Sequence, residues 1–338
     1  MKMAQHSRAE TINAMRERGL VSCIGSSDPD IAKSLMTALA DGGAPVMEFI
    51  HEETHAHQLF SGLVRHTKEH DPAVILGAGG IDDARLAEDY MNAGACFISG
   101  TTLLSDVARA CNRRKVLYIP VCHDADAVAA AEELGVEWVG LVGWESPGVS
   151  QLLKERPWTR VMPRIKRNAD SPSLEAWIEN SAACLNMRPE AIDEAAASGR
   201  DWAALTAAVE ELLWKIRLSR GKPLFSGVEH VGLYPEPGQE GRDVAQWYAD
   251  IFGFGLFEGD TYFFAHSSGP GRIEVLKNAE EVKAHVAVKV SNFEAGCLHL
   301  QDKGIALEPP KLLGRAKAVF LKDRDPAGNK VHLIYQAI

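Results

Sequence analysis

The sequence predicts an α/β protein in which a (β/α)8 barrel is followed by an α+β domain of two βαβββ modules. Three observations support this prediction. Eight short apolar runs alternate with helical stretches between residues 20 and 188, a turn-rich segment then interrupts the pattern, and a strand–helix–strand–strand order follows twice. The length of 338 residues allows two domains, since a typical domain has about 150 residues.

The apolar runs have the short, β-rich composition of parallel strands. They are Leu20 to Gly25, Pro45 to Ile50, Ala73 to Gly77, Ala95 to Ser99, Val116 to Cys122, Trp138 to Val142, Arg160 to Ile165 and Ala183 to Met187. Helical periodicity between the runs, with Asp or Ser at several starts, predicts crossover helices. Eight such units fit a closed barrel, and residues 201–218 are predicted to form its last helix.

A domain boundary is predicted where Gly221, Pro223 and Gly227 follow the last helix. We therefore assign residues 1–220 to the barrel, 221–227 to a linker and 228–338 to a second domain. Its first module is predicted to contain strand 228–234, helix 241–252 and strands near 261–265 and 272–276. The second repeats this order with strand 284–290, helix 293–303 and strands 318–322 and 330–335.

Composition excludes several classes of protein. Apolar residues make up 46% and charged residues 24%, which is typical of a folded globular chain. The formal net charge of -10 provides no basic field for a phosphate backbone, so no nucleic-acid partner is expected. The longest apolar runs fall far short of the roughly 18 residues of a membrane helix, and the start is too polar for a signal peptide. We therefore expect no membrane partner and a cytoplasmic protein.

Four residues in the second domain form a candidate metal site. His230 and His285 lie in the first strand of each module, while Glu274 and His332 lie in the last. A two-fold relation between the modules would bring all four together. Three imidazoles and one carboxylate suit a divalent ion such as Zn, Fe, Mn or Ni better than Ca or Mg. No nucleotide cofactor is expected.

Four motifs in the second domain resemble the vicinal oxygen chelate superfamily of glyoxalases, metal-dependent epimerases and extradiol dioxygenases. They are HVGLY, WYADIFGF, HVAVKV and DPAGNKVHLIY. The resemblance implies that His230, Glu274, His285 and His332 occupy the metal positions, although the fourth is commonly Glu in that superfamily. It also implies a metal with open positions that chelates two adjacent substrate oxygens and stabilises enolate-like charge.

The barrel resembles the 2-keto-3-deoxy-6-phosphogluconate and 4-hydroxy-2-oxoglutarate aldolases. The motifs are LADGGAPVMEFIHEE and VILGAGGIDDARLAEDYMNAGACFISG. The resemblance implies that Glu48 is the acid/base residue. It also shows three departures: Gly140 replaces the Schiff-base lysine, Gly80 replaces a threonine, and PRIKRNADS replaces the phosphate-binding glycines.

Several polar residues are predicted to reach the carboxyl ends of the barrel strands. Lys166 is predicted as a catalytic residue, because it is the lysine expected at this rim and Arg164 and Arg167 would lower its pKa; a solvated basic loop is the alternative. We predict Glu48 as the base and His123 as the acid. Substrate-binding roles are predicted for His51, Arg164 and Arg188. Glu145 and Asn186 also fit the rim, with helix capping or loop solvation as their alternative.

The letters HEETH at residues 51–55 match a zinc motif that requires a helix. They follow a strand directly, so we interpret the match as accidental.

Three hypotheses for function remain open. The first is a bifunctional or evolved lyase or isomerase acting on a small 2-oxo acid or sugar acid. In the second, only the metal domain is catalytic, as an isomerase, lyase or dioxygenase, and the barrel is a scaffold. The third is a sensor that binds small ligands without turnover. A homo-oligomer is expected in each case, because both resembled families form oligomers.

Overall fold

The computed structural model describes residues 4–51, 55–165, 177, 183–267, 271–277, 284–314 and 316–336. It divides the chain into two compact units between Arg220 and Gly221. A strand begins at Phe225, within the stretch that the sequence analysis assigned to a linker. Within the described residues, no helix is both long enough and apolar enough to span a membrane. None of the six cysteines forms a disulfide.

The first unit is a parallel barrel, which confirms the predicted fold class. Its strands are β1 (Leu20–Ile24), β2 (Val46–Ile50), β3 (Ile75–Ile81), β4 (Phe97–Gly100), β5 (Leu117–Ile119), β6 (Val121–Cys122), β7 (Val139–Leu141), β8 (Val161–Ile165) and β9 (Leu185–Met187). They are hydrogen-bonded in the order β5-β4-β3-β2-β1-β9-β8-β7-β6. Each of the eight predicted apolar runs overlaps one of these strands or, in one case, two, and β3 and β4 extend beyond the predicted ends of their runs.

Pro120 separates β5 from β6, because proline has no N–H to donate to a ladder. Its carbonyl still accepts a hydrogen bond from the backbone N–H of Gly140 at 2.8 Å. The two segments are therefore halves of one strand. If β5 and β6 are counted as one strand, the barrel has eight strands. The two ends of the strand order, β5 and β6, are joined by Pro120, and this closes the barrel.

One helix precedes the first barrel strand, and helices follow most of the barrel strands. They are α1 (Arg8–Arg18), α2 (Pro29–Asp41), α3 (Ala56–His70), α4 (Ala84–Ala93), α5 (Ser105–Arg114), α6 (Ala125–Glu133), α7 (Ser146–Glu155), α8 (Pro189–Ile192), α9 (Glu194–Gly199) and α10 (Trp202–Ser219). Asp28, Asp83 and Asp124 accept hydrogen bonds from backbone N–H groups in the first turns of α2, α4 and α6. These caps satisfy donors that a helix start leaves free and explain why acidic residues mark the helix starts in the sequence.

The lower interior of the barrel is apolar. Phe97, Trp138 and Met162 belong to one buried cluster near the amino ends of the strands. Met15 of α1 joins this cluster, so α1 covers that end. The open end is therefore the carboxyl end of the strands, where barrel enzymes place their active sites.

The second unit is an eight-stranded mixed sheet with two helices among its described residues. Its elements are β10 (Phe225–Leu233), α11 (Gly241–Phe252), β11 (Gly255–Glu258), β12 (Tyr262–His266), β13 (Arg272–Leu276), β14 (Ala284–Val290), α12 (Phe293–Asp302), β15 (Lys311–Leu313), β16 (Ala316–Phe320) and β17 (Lys330–Gln336). The strand order is β11-β12-β13-β10-β14-β17-β16-β15. Strands β11 and β15 are the second strands of the two βαβββ modules, directly after the helix of each module.

The two modules meet at the centre of this sheet. Strand β10 pairs antiparallel with β14. Each of these strands also pairs in parallel with the last strand of its own module, β13 or β17. The first and last strands of both modules are therefore the four neighbouring strands at the centre.

Candidate functional sites

Glu48 lies inside the barrel on β2. Val46 packs in the interior cluster, and because side chains alternate along a strand, Glu48 faces the same way. Its side chain is fully buried. One carboxylate oxygen accepts a hydrogen bond from Arg164 Nη2 at 3.2 Å, and the other accepts one from Asn186 Nδ2 at 2.5 Å. Both oxygens are therefore fixed by donors on β8 and β9.

A glycine on the neighbouring strand provides the space for this carboxylate. A Cβ atom on Gly79 would collide with the Glu48 side chain. Glu48 can therefore adopt this position only because residue 79 has no side chain.

The hydrogen-bond network extends to two further strands. Arg164 Nη2 also donates to Ser99 Oγ on β4 at 2.6 Å, and Cys23 Sγ on β1 donates to Asn186 Oδ1 at 3.3 Å. Burial, together with the nearby Glu48 charge, raises the pKa of the Cys23 thiol well above its usual value. Cys23 is therefore a neutral donor in this network and is no thiolate nucleophile.

A cavity of about 570 Å³ opens above the network. Its lining includes Cys23, His51, Arg164, Asn186 and Arg188. The Arg164 Nε atom is buried and has no hydrogen-bond partner among the described residues. Arg164 thus keeps a donor beyond those that hold Glu48 and Ser99.

The structure places the other predicted barrel residues differently. His51 lines the cavity, and its Nδ1 lies 2.7 Å from the Tyr90 hydroxyl. His123 is exposed, lies 3.3 Å from the Val142 carbonyl and does not line this cavity. The predicted pairing of Glu48 with His123 is not formed, because His123 follows the end of β6, where alternation no longer directs a side chain inward. Lys166 lies outside the described residues.

Gly140 occupies an interior position on β7. Val139 and Leu141 belong to the cluster between the strands and the helices, so residue 140 faces the barrel interior. A lysine here would reach the interior, and this chain has no side chain at that position.

The two histidines of the HEETH segment, His51 and His55, both lie outside the helices. His51 follows the end of β2 and His55 precedes α3, while residues 52–54 lie outside the described part. The interpretation as an accidental match agrees with these positions.

Sequence reasoning missed Ser99 and Cys23 as members of the site and gave Asn186 only a rim position. Strand alternation could have found the first two, because Ser99 shares a face with Phe97, and Cys23 shares one with Val21, both in the interior cluster.

The four predicted metal ligands of the second unit come together. Nitrogen atoms of His230, His285 and His332 lie within 4.8 Å of one another. Glu274 Oε2 lies 2.9 Å from His285 Nε2 and 3.4 Å from His230 Nε2, and these two nitrogens are 3.1 Å apart. All four side chains are buried.

Register explains this convergence. Gly232 on β10 lies opposite His285 on β14, and a Cβ atom on Gly232 would collide with the imidazole of His285. Glycine at this position lets the ring lie across the centre of the sheet towards His230 and Glu274.

Two outer groups orient the imidazoles. The Glu229 carboxylate contacts His230 Nδ1 and also pairs with Arg272. The Tyr234 hydroxyl lies 3.2 Å from His285 Nδ1. Both contacts leave the Nε2 atoms directed at Glu274, as in metal sites where a second partner fixes the ring.

Burial and mutual repulsion control the charges in this cluster. Burial, with the nearby His230 and His285, lowers the pKa of His332 to about 4, and burial also lowers that of His230. Burial would raise the pKa of Glu274, but the hydrogen bond with His285 and the nearby imidazoles lower it overall. The lowered pKa values of His230, His332 and Glu274 favour two neutral imidazoles and a carboxylate, which are the protonation states that metal binding requires.

The surroundings of His332 provide a further test of whether these residues fit a metal ion. Neither ring nitrogen has a hydrogen-bond partner among the described residues, although both are buried. An unsatisfied buried nitrogen costs free energy, and a bound ion would satisfy one of them. The residues fit a divalent ion with nitrogen and oxygen ligands, such as Zn, Fe, Mn or Ni.

Replacing Tyr234 with Phe should lower the affinity of this site for Zn²⁺ by about 10–100-fold. The change removes the hydroxyl at His285 Nδ1 and leaves the four ligands in place. Competition with a chromophoric chelator measures the affinity. Tyr248→Phe, on α11, is the matched control and should bind as the parent does; equal affinity of both variants would contradict a positioning role for Tyr234.

Comparison with known proteins concerns the barrel. Residues 11–159 match the family model described as KDPG and KHG aldolase. These residues carry that family's sequence pattern. Residues 160–338 lie outside the match, and no curated protein matches the chain.

Solved aldolases share the barrel fold. The 4-hydroxy-2-oxoglutarate/2-dehydro-3-deoxyphosphogluconate aldolase from TTHB1 is 18% identical over 61% of this chain and 98% of its own, with a TM-score of 0.50. The KDPG aldolase of Legionella pneumophila is 16% identical over 60% and 97%, with a TM-score of 0.51. The 2-keto-3-deoxy-6-phosphogluconate aldolase of Zymomonas mobilis is 21% identical over 59% and 94%, also at 0.51. The first unit is thus an aldolase-like barrel.

Proposed function

We propose that the aldolase-like barrel is a lyase-type enzyme that acts on a small 2-oxo acid or sugar acid and uses Glu48 for proton transfer. The observation that carries this proposal is the fully buried Glu48 carboxylate, held on both oxygens next to a cavity with two arginines. The match of residues 11–159 to the aldolase family model supports the reaction class.

The network suits a fixed acid/base group. Breaking a carbon–carbon bond beside a carbonyl requires one proton to leave a hydroxyl and another to return to the enolate carbon. A carboxylate held by Arg164 and Asn186 has a defined position for both transfers. Arg188, at the same cavity, supplies a positive charge for the substrate carboxylate.

The barrel differs from a Schiff-base aldolase at the position of the amine. The structure of the Legionella pneumophila enzyme contains pyruvate captured as a covalent carbinolamine. In this chain Gly140 faces the interior at the corresponding strand. We propose that the arginines of the cavity stabilise the enolate charge instead, as fixed positive groups do in other sites.

Treatment with pyruvate and borohydride is expected to leave the protein unmodified, because Gly140 supplies no amine for an imine. Intact-mass spectrometry would measure the adduct, with a Schiff-base KDPG aldolase as the positive control. Release of a 2-oxo acid from 4-hydroxy-2-oxo acids should survive the same treatment. Stoichiometric trapping at Lys166 would contradict the lysine-free proposal and make Lys166 the catalytic amine.

We also propose that the second unit holds a Zn, Fe, Mn or Ni ion through His230, Glu274, His285 and His332. The convergent donors, the unsatisfied His332 nitrogens and the resemblance to the vicinal oxygen chelate superfamily support this. Such an ion, when bound, would act as a Lewis acid towards adjacent substrate oxygens. Glu229 and Tyr234 would keep the two imidazoles in position.

Removing the metal separates the two activities. If the chain is bifunctional, chelation should abolish turnover by the second unit and leave 2-oxo acid release by the barrel unchanged. Loss of all turnover would favour the metal unit as the one catalytic part, with the barrel as a scaffold. Substrate binding without turnover in either state would favour the sensor. The homo-oligomer stays a prediction that light scattering would test.

A further inference from the structure

A second cavity, of about 300 Å³, lies beside the metal-ligand cluster in the second unit. Its charged lining consists of four basic residues and two acidic ones: Lys311, Lys322, Arg324, Lys330, Glu308 and Asp323. Four positive charges against two negative ones leave this lining with a net charge of +2. The chain as a whole has a net charge of -10, so this positive cavity is a local exception.

The basic residues converge from different parts of the second module. Lys311 begins β15 and Lys330 begins β17, while Lys322 and Arg324 lie between β16 and β17. In the part of the chain that the structure describes, the side chains of Lys311, Lys322 and Arg324 form no ion pair. In contrast, Lys317 on the same sheet pairs with Glu294 at 3.3 Å. The three positive charges of Lys311, Lys322 and Arg324, without ion-pair partners among the described residues, favour an anionic occupant.

Two aromatic residues connect this cavity to the metal-ligand cluster. Phe320 lines the cavity and stacks on His332 with ring centroids 4.5 Å apart. Tyr234 also lines it, and its hydroxyl lies 3.2 Å from His285 Nδ1. An occupant of the cavity would thus lie one aromatic ring away from two of the four ligands.

Lysines lie over both aromatic rings on the cavity side. Lys311 Nζ is 5.2 Å from the Phe320 ring centroid, and Lys330 Nζ is 6.0 Å from that of Tyr234. These contacts hold the ammonium groups near the boundary between the cavity and the ligand cluster.

We infer that this cavity binds the dianionic end of the small molecule on which the metal site acts, a phosphate monoester or a dicarboxylate. The inference rests on the proposed function of the second unit. A lining with a net charge of +2 matches a group that carries two negative charges. Lysines serve as point charges for such groups, and Arg324 offers a planar pair of donors. The volume lies at the small end of the range for ligand pockets.

Titration calorimetry on the full chain, freed of metal by chelation and dialysis, tests this inference with inorganic phosphate and malonate as probes. The double variant Lys311→Gln/Arg324→Gln should lose one anion site, or bind there at least about 10-fold more weakly, because charge-assisted hydrogen bonds are lost. The control Lys222→Gln/Lys303→Gln removes the same charge from exposed positions outside the cavity and should retain the site.

The two probes distinguish the sources of the dianion. The comparison is made in the parent protein, at the anion site that the Lys311→Gln/Arg324→Gln variant loses. Tighter binding of phosphate there indicates a phosphate monoester, and tighter binding of malonate indicates a dicarboxylate. A site in the barrel would persist in both double variants, so it would not be confused with this one. Equal anion binding by parent and cavity variant, or equal losses in the cavity and control variants, would overturn the inference.

A Zn²⁺ titration of the same preparations separates this inference from the metal proposal. Neither replaced side chain contacts a proposed ligand, so the cavity variant should bind Zn²⁺ as the parent does. Anion binding without Zn²⁺ binding would contradict the proposed metal site and support the proposed anion site in the cavity. If the anion binds only when the metal is present, the anion is a ligand of the metal ion, and the inference that the cavity binds it is wrong. Unchanged thermal unfolding of the variants confirms that each is folded.

Discussion

Glu48→Gln is expected to reduce turnover by the barrel at least about 100-fold, the usual scale of loss for a general acid/base group. Glutamine preserves the shape next to Gly79 and cannot take a proton. Steady-state measurement of kcat and kcat/KM for 2-oxo acid release would test this. Thermal unfolding must show a folded variant, because removing the charge from a buried pair with Arg164 costs stability.

Ser99→Ala is the matched control for the same network. It removes the hydrogen bond that Arg164 donates at 2.6 Å and leaves the Glu48 carboxylate unchanged. We expect a loss of about 2–10-fold, the range of one hydrogen bond. If Glu48→Gln retains turnover within a few-fold of the parent, or falls no further than Ser99→Ala, Glu48 is a structural residue.

His332→Phe is expected to act in opposite directions on metal binding and on the stability of the metal-free protein. It removes one of four donors, so Zn²⁺ affinity should fall by more than the roughly 100-fold upper limit for losing an outer partner. The ring that stacks on Phe320 is retained, and two buried nitrogens without partners are removed. The free energy of unfolding without metal should therefore stay level or rise by up to about 1–3 kcal/mol.

Chemical unfolding with chelator and with excess Zn²⁺ measures both effects. The parent should be stabilised by the ion, because a ligand that binds only the folded state adds free energy. His332→Phe should lose that gain, whereas His266→Ala, at an exposed histidine outside the cluster, should keep it. A metal-free His332→Phe protein with the 2–5 kcal/mol loss of an ordinary core truncation would contradict our account of the unsatisfied nitrogens.

The sequence predicted the fold well because apolar periodicity reports burial directly. The barrel strands are buried on both faces and appear as short apolar runs, and the ends of α11, β13 and β14 agree with the predicted ranges. Strands β11 and β15 were not given ranges. Their residues are largely exposed, so they have little apolar signal.

The candidate sites were predicted unevenly. The four residues of the metal-ligand cluster lie on paired strands of repeated modules, so register alone brings them together. His123 failed as a partner of Glu48 because it lies past the end of its strand, where sequence position does not fix side-chain direction. Asn186 and Ser99 were recognisable by alternation, but their hydrogen bonds depend on rotamers that a linear pattern does not contain.

The central position of β10, β13, β14 and β17 has a consequence for how the second unit assembles. Each module supplies two of the four convergent side chains, so neither module alone holds more than half of the cluster. Any free energy gained there is also free energy of association between the modules. An ion bound by these groups would act as a cross-link between the first and last strands of the unit. The two halves would then unfold together or remain folded together.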